Sequence, residues 1–535
     1  MMQTSGRNAG RRYGGEILRR GSADDNAVRR LQRDLAELGF TVVGPADGCF
    51  GRFTAWAVRE FQAYAALAQV AVESPRRATI YADGLTPVAT GPNRYAGPIS
   101  GVVDAATGEA LQHWLDSRWR CPVAVEAWRL RNGRRDRPVA TNIWRHDEVP
   151  DAAARMYARD LSGHFPVTGD GASADTADDD GAGRVIIGEF TSYLSWSGPR
   201  AVPPRHSRPE GEIVPECVIG RRAEELDAAQ QSTFRVVRSV AEVECLGHFD
   251  SVNAYDNALI SVGPCHWTLG IVGRNGTVSE GELCGVLAYL AHADAAAFHQ
   301  TLGVFGVSID RGWVNHHGIA NGQLLFDRGQ RKYAGWLALH DERGGFARLP
   351  QRQEESDYFK TWHWFYRFVM AGRTIPGYRR TMWDMTRIRL RDLIDMPWDA
   401  GSSLRLGDIF TSEKAIAMIL RWHVRYPGHV AARGCAGRRL HAVLQSVRDR
   451  HASLGWEGDP GAWGDAHEKA LIRALRVAVG QVGGRLAETV KRVDRWPQWG
   501  SGNNPHRYRL PPTIGPLDER RGSFRLERSG LPPAP

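Results

Sequence analysis

The stretch from Phe234 to Leu269, FRVVRSVAEVECLGHFDSVNAYDNALISVGPCHWTL, gathers the side chains best suited to proton transfer. Projected as a helix, Phe234, Val237, Val240 and Ala241 form an apolar arc, and Glu244 falls inside it. Glu242 falls with Arg235 and Arg238 on the opposite arc, which predicts a surface carboxylate paired with an arginine one turn away. Glu244 is instead expected to point inward, at a helix end marked by Gly247. A carboxyl in an apolar pocket keeps its proton to higher pH, as a general acid must; a buried carboxylate satisfied by an arginine is the alternative. A polar cluster follows, with Tyr255, Asp256, Ser261, His266 and Thr268. Within it Asp256 is the first candidate for a second carboxylate, and Asp250 the weaker one.

Other chemistries are less well supplied. Cys245 beside Glu244 and Cys265 beside His266 raise a thiol nucleophile, but no third group or oxyanion pattern accompanies them. The seven cysteines are irregularly spaced and form no CxxC pair, so neither a zinc site nor a dense disulfide framework is expected. His316, His317, His363 and His423 show no HExxH or paired-ligand spacing. The Asp-rich run within 166–184 lacks the spaced ligands and closing Glu of a calcium loop and reads as a solvated linker. No metal and no cofactor are expected. Trp362, Trp364, Phe365, Tyr366 and Phe368 have the right faces for stacking on sugars, but most are assigned to a core.

The elements that must position these residues follow from periodicity. A chain of 535 residues predicts two to four domains, and the patterns make it mainly α. Residues 1–16 read as disordered. Over 17–65, Val28, Leu31, Leu35 and Leu38 recur at helical spacing up to Gly39. A turn from Pro45 to Gly51 then leads to Thr54 as an N-cap and to Ala57, Val58 and Phe61 as a second stripe. Within 66–135, Gly101 to Leu115 echoes the second half of that module as a degenerate half-repeat. Residues 136–221 read as a linker region. From 222 to 496 helical patterns dominate, over Glu282–Leu302, Glu413–Val424, Leu440–Arg448 and Ala466–Val493 among others, and strand alternation is scarce. The tail 497–535 carries eight prolines and should be extended or disordered.

The net charge is +9, and only five of the 69 basic residues are lysine, a skew that points to a GC-rich genome. A positive surface attracts polyanions, but no groove-reading motif accompanies it, so nucleic acid is not an expected partner. No apolar run approaches the roughly 18 residues of a membrane span, so no membrane insertion is expected. The first 22 residues are basic with no apolar core behind them, which predicts synthesis in the cytoplasm without a Sec signal.

Two family resemblances attach to these residues. Ile17-Leu18 and Gly21, Val28, Leu31-Gln32, Leu35, Leu38-Gly39-Phe40, Asp47-Gly48-x-Phe50-Gly51, Thr54, Ala57-Val58 and Phe61-Gln62 resemble the three-helix peptidoglycan-binding domain. The resemblance implies a shallow groove around the Asp47-Gly48 loop, with Gln32 and Gln62 offered to glycan or peptide. Leu31, Leu35, Phe50, Val58 and Phe61 would be its core. The stretch from Glu244 to Thr268 resembles the lysozyme-like superfamily of goose-type lysozymes, lytic transglycosylases and chitosanases. That resemblance implies Glu244 as the acid and Asp256 as the second carboxylate, with Tyr255, Ser261, His266 and Thr268 along a sugar cleft.

The chain departs from the lysozyme-like pattern in two places. Gly263 stands where chitosanases carry their second carboxylate, and His266 where transglycosylases carry Gln. A carboxyl separation of ~6.5–9.5 Å would imply inversion and ~5–5.5 Å retention, while Glu244 alone implies a 1,6-anhydro product. The expected whole is a small wall-binding module followed by a large helical lysozyme-like domain: a modular peptidoglycan hydrolase of muramidase or lytic transglycosylase type. It would reach the periplasmic or extracellular wall by phage lysis, injection or non-classical export. The alternative is a non-enzymatic wall-anchoring protein with a decayed lysozyme-like domain.

Overall fold

The first helix begins where the sequence supplies a cap. Asp24 accepts a hydrogen bond from the Ala27 amide at 2.9 Å and opens α1 (Asp25–Glu37), whose Val28, Leu31 and Leu35 are buried. In the computed structural model the described residues are 13, 15, 17–38, 40–43, 45–66, 81–83, 86–87, 95–117, 127–131, 134–140, 212–245, 247–253, 258–273, 275–310, 337–340, 346–349, 358–360, 364, 367–368, 371–372, 375–432, 434–497 and 512–532. The Asp-rich run 166–184 and residues 1–12 lie outside them. Next come α2 (Arg52–Ala65) and α3 (Ala105–Asp116), the latter capped by Asp104 through the Thr107 amide at 2.8 Å.

The three helices share one core, in which Phe40, Phe61 and Trp114 meet with ring centroids 5.3–6.0 Å apart. Leu18 and Val103 exchange two backbone hydrogen bonds, tying the segment before α1 to the loop before α3. The half-repeat of Gly101 to Leu115 is therefore the third helix of the same module. Thr54, expected as a cap, sits inside the first turn of α2, and the capping position belongs to Gly51.

From Thr54 to Ala65 every residue of α2 is buried, because its far side packs on the rest of the molecule. Trp56 lies 5.7 Å from the Tyr358 ring and Tyr64 6.3 Å from Phe305. Glu60, fully buried, pairs with Arg367 and accepts from the Tyr358 hydroxyl. Arg367 lies 3.7 Å over the Phe305 ring. A carboxylate removed from water persists only with such partners.

The body is built on α4 (Ala228–Glu244), α5 (Leu283–Ala293), α6 (Ala295–Thr301), α7 (Pro376–Ile394), α8 (Glu413–Arg425), α9 (Arg438–Arg450), α10 (Asp465–Val482) and α11 (Gly484–Asp494). Asp227 and Gln230 form a capping box on α4, and α8 packs against α4, α10 and α11. The single helix expected over 282–302 is two, because Asp294 caps α6 through the Ala297 amide; that over 466–493 breaks at Gly483. Directly after α4 comes a three-stranded antiparallel sheet of β1 (Val252–Asn253), β2 (Ser261–Val262) and β3 (Trp267–Thr268). These strands are two residues each, too short for an alternation to register in sequence.

Two boundaries differ from the periodicity reading. Residues 212–218 belong to the body: Ile213 and Val218 are buried, and Arg238 donates to the Ile213 carbonyl at 3.0 Å. Residues 512–532, a short 3-10 helix (Pro512–Ile514) followed by irregular chain, are bound across α4, α7 and α8. Arg387 donates to the carbonyls of Glu527 and Ser529, the Glu527 amide to Thr233, and the Lys414 amide to the Asp518 carbonyl. Burial of Ile514 and Leu517 anchors this strap.

Candidate functional site

Glu244 is the last residue of α4, and its side chain is 8 % exposed. Its Oε1 lies 2.7 Å from Nη1 of Arg421, on α8, an ion-pair contact without hydrogen-bond alignment. Its Oε2 lies 3.7 Å from Nδ1 of His266. The His266 ring reaches this place because its backbone adopts φ +51°, the left-handed region that a non-glycine residue seldom occupies. Its Nδ1 is 3.2 Å from the Glu244 carbonyl oxygen, so that nitrogen carries the proton and donates. The pocket around Glu244 is thus charged and polar, not apolar as the helical arc implied.

Arg421 is 2 % exposed, and its Nε has no acceptor among the described residues. Burial pulls its pKa below the usual arginine range; Glu244 opposes the shift, and Arg425 and Arg485 add to it. Glu244 thus faces the buried guanidinium of Arg421, on which the charges of Arg425 and Arg485 also act. Such a neighbourhood attracts anionic groups and stabilises an anion bound there.

The other expected residues divide by place. Ser261 is buried in β2 opposite Thr268 of β3, and its Oγ has no hydrogen-bond partner among the described residues. Thr268 is half-buried. Tyr255 and Asp256 lie outside the described residues, and Asp250 is buried. Gly263 has φ +76°, and a Cβ there would stand 2.9 Å from the Trp267 ring and 3.0 Å from the Met382 sulfur, so this position has no room for a carboxylate. Glu242, expected at the surface, is 1 % exposed and paired with Arg238, which also reaches Glu212 at 3.1 Å. The arginine pair is as the spacing predicts; its burial comes from residues 212–218 covering that arc. Trp364 and Phe368 are core, as is His423, which accepts from Arg389 at 3.2 Å. Among the described residues no group of three His, Cys, Asp or Glu side chains is placed to hold a metal ion.

In the N-terminal module the two glutamines are structural. Gln32 donates to Asp47 Oδ1 (2.8 Å), the Cys49 carbonyl (3.1 Å) and Thr54 Oγ1 (3.1 Å), and accepts from the Gly48 amide (2.9 Å). Gln62 repeats the pattern one helix later. It donates to the Val102 carbonyl (2.8 Å) and Thr107 Oγ1 (3.1 Å) and accepts from the amides of Ser100 and Gly101 (2.9 Å each). Both amides are buried, so neither is offered to a ligand. Gly48 and Gly101 take φ +85° and +80°, the conformation that aims each backbone amide at its glutamine. Asp47 is exposed, and so is Phe53 in the first turn of α2.

Arg421 was not singled out from sequence, yet a signal exists. It interrupts the apolar run Ala415-Ile-Ala-Met-Ile-Leu420 just before Trp422, and an arginine inside such a run demands a buried partner. Nothing local says that the partner is Glu244.

Residues 24–69 match the peptidoglycan binding domain family. No curated protein and no solved structure matches the chain. The match spans α1 and α2, and the geometry above adds α3 to the same unit. The chain thus carries an N-terminal peptidoglycan-binding domain, which associates it with the bacterial cell wall.

Proposed function

We propose that the body cleaves the glycan strand of peptidoglycan, as a muramidase-type glycosidase or a lytic transglycosylase, with Glu244 as the acid. The observation that carries this reading is the position of Glu244. It ends a core helix directly ahead of a small antiparallel sheet, half-enclosed, with His266 on one side and Arg421 on the other. In this role Glu244 protonates the leaving glycosidic oxygen, and Asp256 activates water or stabilises the oxocarbenium charge. His266 and Thr268 line the sugar path, and Ser261 stands opposite Thr268 in the sheet behind them. Arg421 holds the Glu244 carboxylate in an ion pair at 2.7 Å, a contact for which an anionic group of the wall polymer would compete. The polymer-binding domain adds to this by raising the local concentration of substrate. A wall substrate places the action on the periplasmic or extracellular side, after release, injection or non-classical export.

The Glu244–Arg421 pair and the closed position at Gly263 favour a second reading, a wall-anchoring protein whose lysozyme-like domain no longer cleaves. Purified sacculi incubated with the full chain separate the two. Mass spectrometry should find reducing or 1,6-anhydro muramyl ends with the wild type, and their loss with Glu244→Gln. No released fragments from the wild type, or equal release by the Gln variant, would remove the glycosidase reading.

A further inference from the structure

Beyond Arg421, α8 ends on an aromatic ring that is exposed yet held in one pose. Pro427 drives Tyr426 out of the helical region, to φ −138° and ψ 75°, and so terminates α8 there. A single turn, Pro427–Val430, then brings His429 back over it. The His429 amide donates to the Tyr426 carbonyl at 3.0 Å, and the two rings stack at 4.9 Å with 22° between their planes. His429 is itself fixed: its Nδ1 accepts from the indole of the fully buried Trp422 at 3.2 Å. Gly437, just ahead of α9, closes on the same turn, where a Cβ would stand 2.4 Å from the His429 carbonyl oxygen. Tyr426 nevertheless keeps 39 % of its surface exposed. The side-chain freedom that a ligand would otherwise have to remove is already lost in the folded state.

The charge beside this ring is of one sign. Arg425 lies one turn after Arg421 on the same face of α8, about 6 Å further along the helix. Its guanidinium is 5.8 Å from the Tyr426 ring centroid. Arg439 stands in the first turn of α9, directly after the Gly437 contact with His429. Both arginines are exposed, and neither makes an ion pair with a described residue. Elsewhere in the body Arg235, Arg387 and Arg389 each hold a carboxylate at 2.5–3.0 Å. Burial, and then the charge of Arg439, lower the pKa of His429, so the stacked imidazole is neutral and the positive charge belongs to the arginines.

A fixed aromatic ring accepts the apolar face of another ring, and exposed guanidinium groups beside it accept a carboxylate in charge-assisted hydrogen bonds. A pyranose bearing an acidic substituent offers both. A nucleotide would as well, but this chain carries a peptidoglycan-binding domain and no groove-reading motif. We infer that Tyr426, with Arg425 and Arg439, forms a subsite for an acidic saccharide of the wall glycan, of N-acetylmuramic type, one helical turn beyond Arg421. The inference rests on the reading of the body as a glycan-acting domain, because it extends the Glu244 site. It concerns binding alone and requires no cleavage.

The test is hydrogen exchange on the full chain carrying Glu244→Gln, so that the ligand stays intact. The probe is a tetrasaccharide of alternating N-acetylglucosamine and N-acetylmuramic acid with free lactyl carboxylates. Slowed exchange is expected over 421–432, and the neutral N-acetylglucosamine tetramer should need about tenfold more for the same protection. Adding Tyr426→Ala should raise the concentration of acidic probe needed by about tenfold, as truncation of an aromatic anchor does, and Tyr426→Phe should keep the original response. Arg425→Gln together with Arg439→Gln should erase the preference for the acidic probe and leave the response to the neutral one. All these side chains are exposed, so melting temperatures should be unchanged. No protection of 421–432 by the acidic probe, an undiminished response in Tyr426→Ala, equal responses to both probes, or protection by a mixed-sequence DNA oligonucleotide alone overturns the inference. The glycosidase reading fails separately, on the absence of fragments from wild-type digests.

Discussion

The two buried glutamines of the N-terminal domain and the polar groups beside Glu244 have opposite accounts. Gln32 and Gln62 are closed systems, each accepting from backbone amides and donating to a carbonyl and a threonine hydroxyl at the start of the next helix. In the body, Arg421 Nε beside Glu244 and Ser261 Oγ in β2 have no partner among the described residues, and the ion pair itself is poorly aligned. A buried polar atom left unmatched costs ~1–3 kcal/mol, so a fold keeps such atoms only where something else compensates. A satisfied buried amide is architecture; a poorly aligned buried ion pair at a half-enclosed carboxylate is where function is to be sought.

The largest effect that bears on this contrast is Glu244→Gln, expected to slow release of glycan fragments by about 10²–10⁴-fold while circular dichroism shows the fold retained. A Gln variant that works at the wild-type rate would put Glu244 in the same class as the two glutamines. Next, Glu60→Ala should destabilise the protein by about 3–5 kcal/mol, because it removes one partner of a buried ion pair where α2 meets the body. Urea unfolding measures it, and a change below ~1 kcal/mol would mean that the interface does not hold the module.

Gln62→Ala, and likewise Gln32→Ala, should cost about 1–3 kcal/mol, read as a lowered melting temperature. Sacculus pull-down by the molecules still folded should be unchanged. Binding lost without any loss of stability would restore these side chains as ligand contacts.

The smallest effect is a pH dependence. His429, stacked on Tyr426 at 4.9 Å and accepting from the Trp422 indole, has its pKa lowered by burial, with Arg439 adding to the shift. The folded state therefore favours the neutral ring. That contribution is fully present above the unfolded value near 6.5 and is lost as pH falls through it toward the folded value. His429→Asn should flatten the fall in stability between pH 7.5 and 5.5; an unchanged slope would assign the acid sensitivity elsewhere.

Much of the helical framework was legible because its signals are local. Asp24 and Asp227 cap helices whose apolar residues recur every three or four positions, and the spacing from Leu31-Gln32 through Asp47-Gly48 to Thr54 carries the family. The role of Gln62 was hidden by distance. Gln32 and Thr54 are 22 residues apart, whereas Gln62 and Thr107 are 45 apart, so the repeat is interrupted and its second half reads as a fragment. The strands after α4 escaped because a two-residue strand carries no period.

By itself, then, the sequence determined the mainly helical class, the peptidoglycan-binding domain and the inward turn of Glu244 at a helix end. These depend on cap chemistry and on the 3.6-residue period, which act over a turn or two. Only the tertiary structure decided what surrounds that carboxylate. Arg421 arrives from 177 residues downstream, and residues 212–218 cover the arc that periodicity had assigned to solvent. Burial and charge pairing are properties of the elements that meet, and no local pattern records which elements those are.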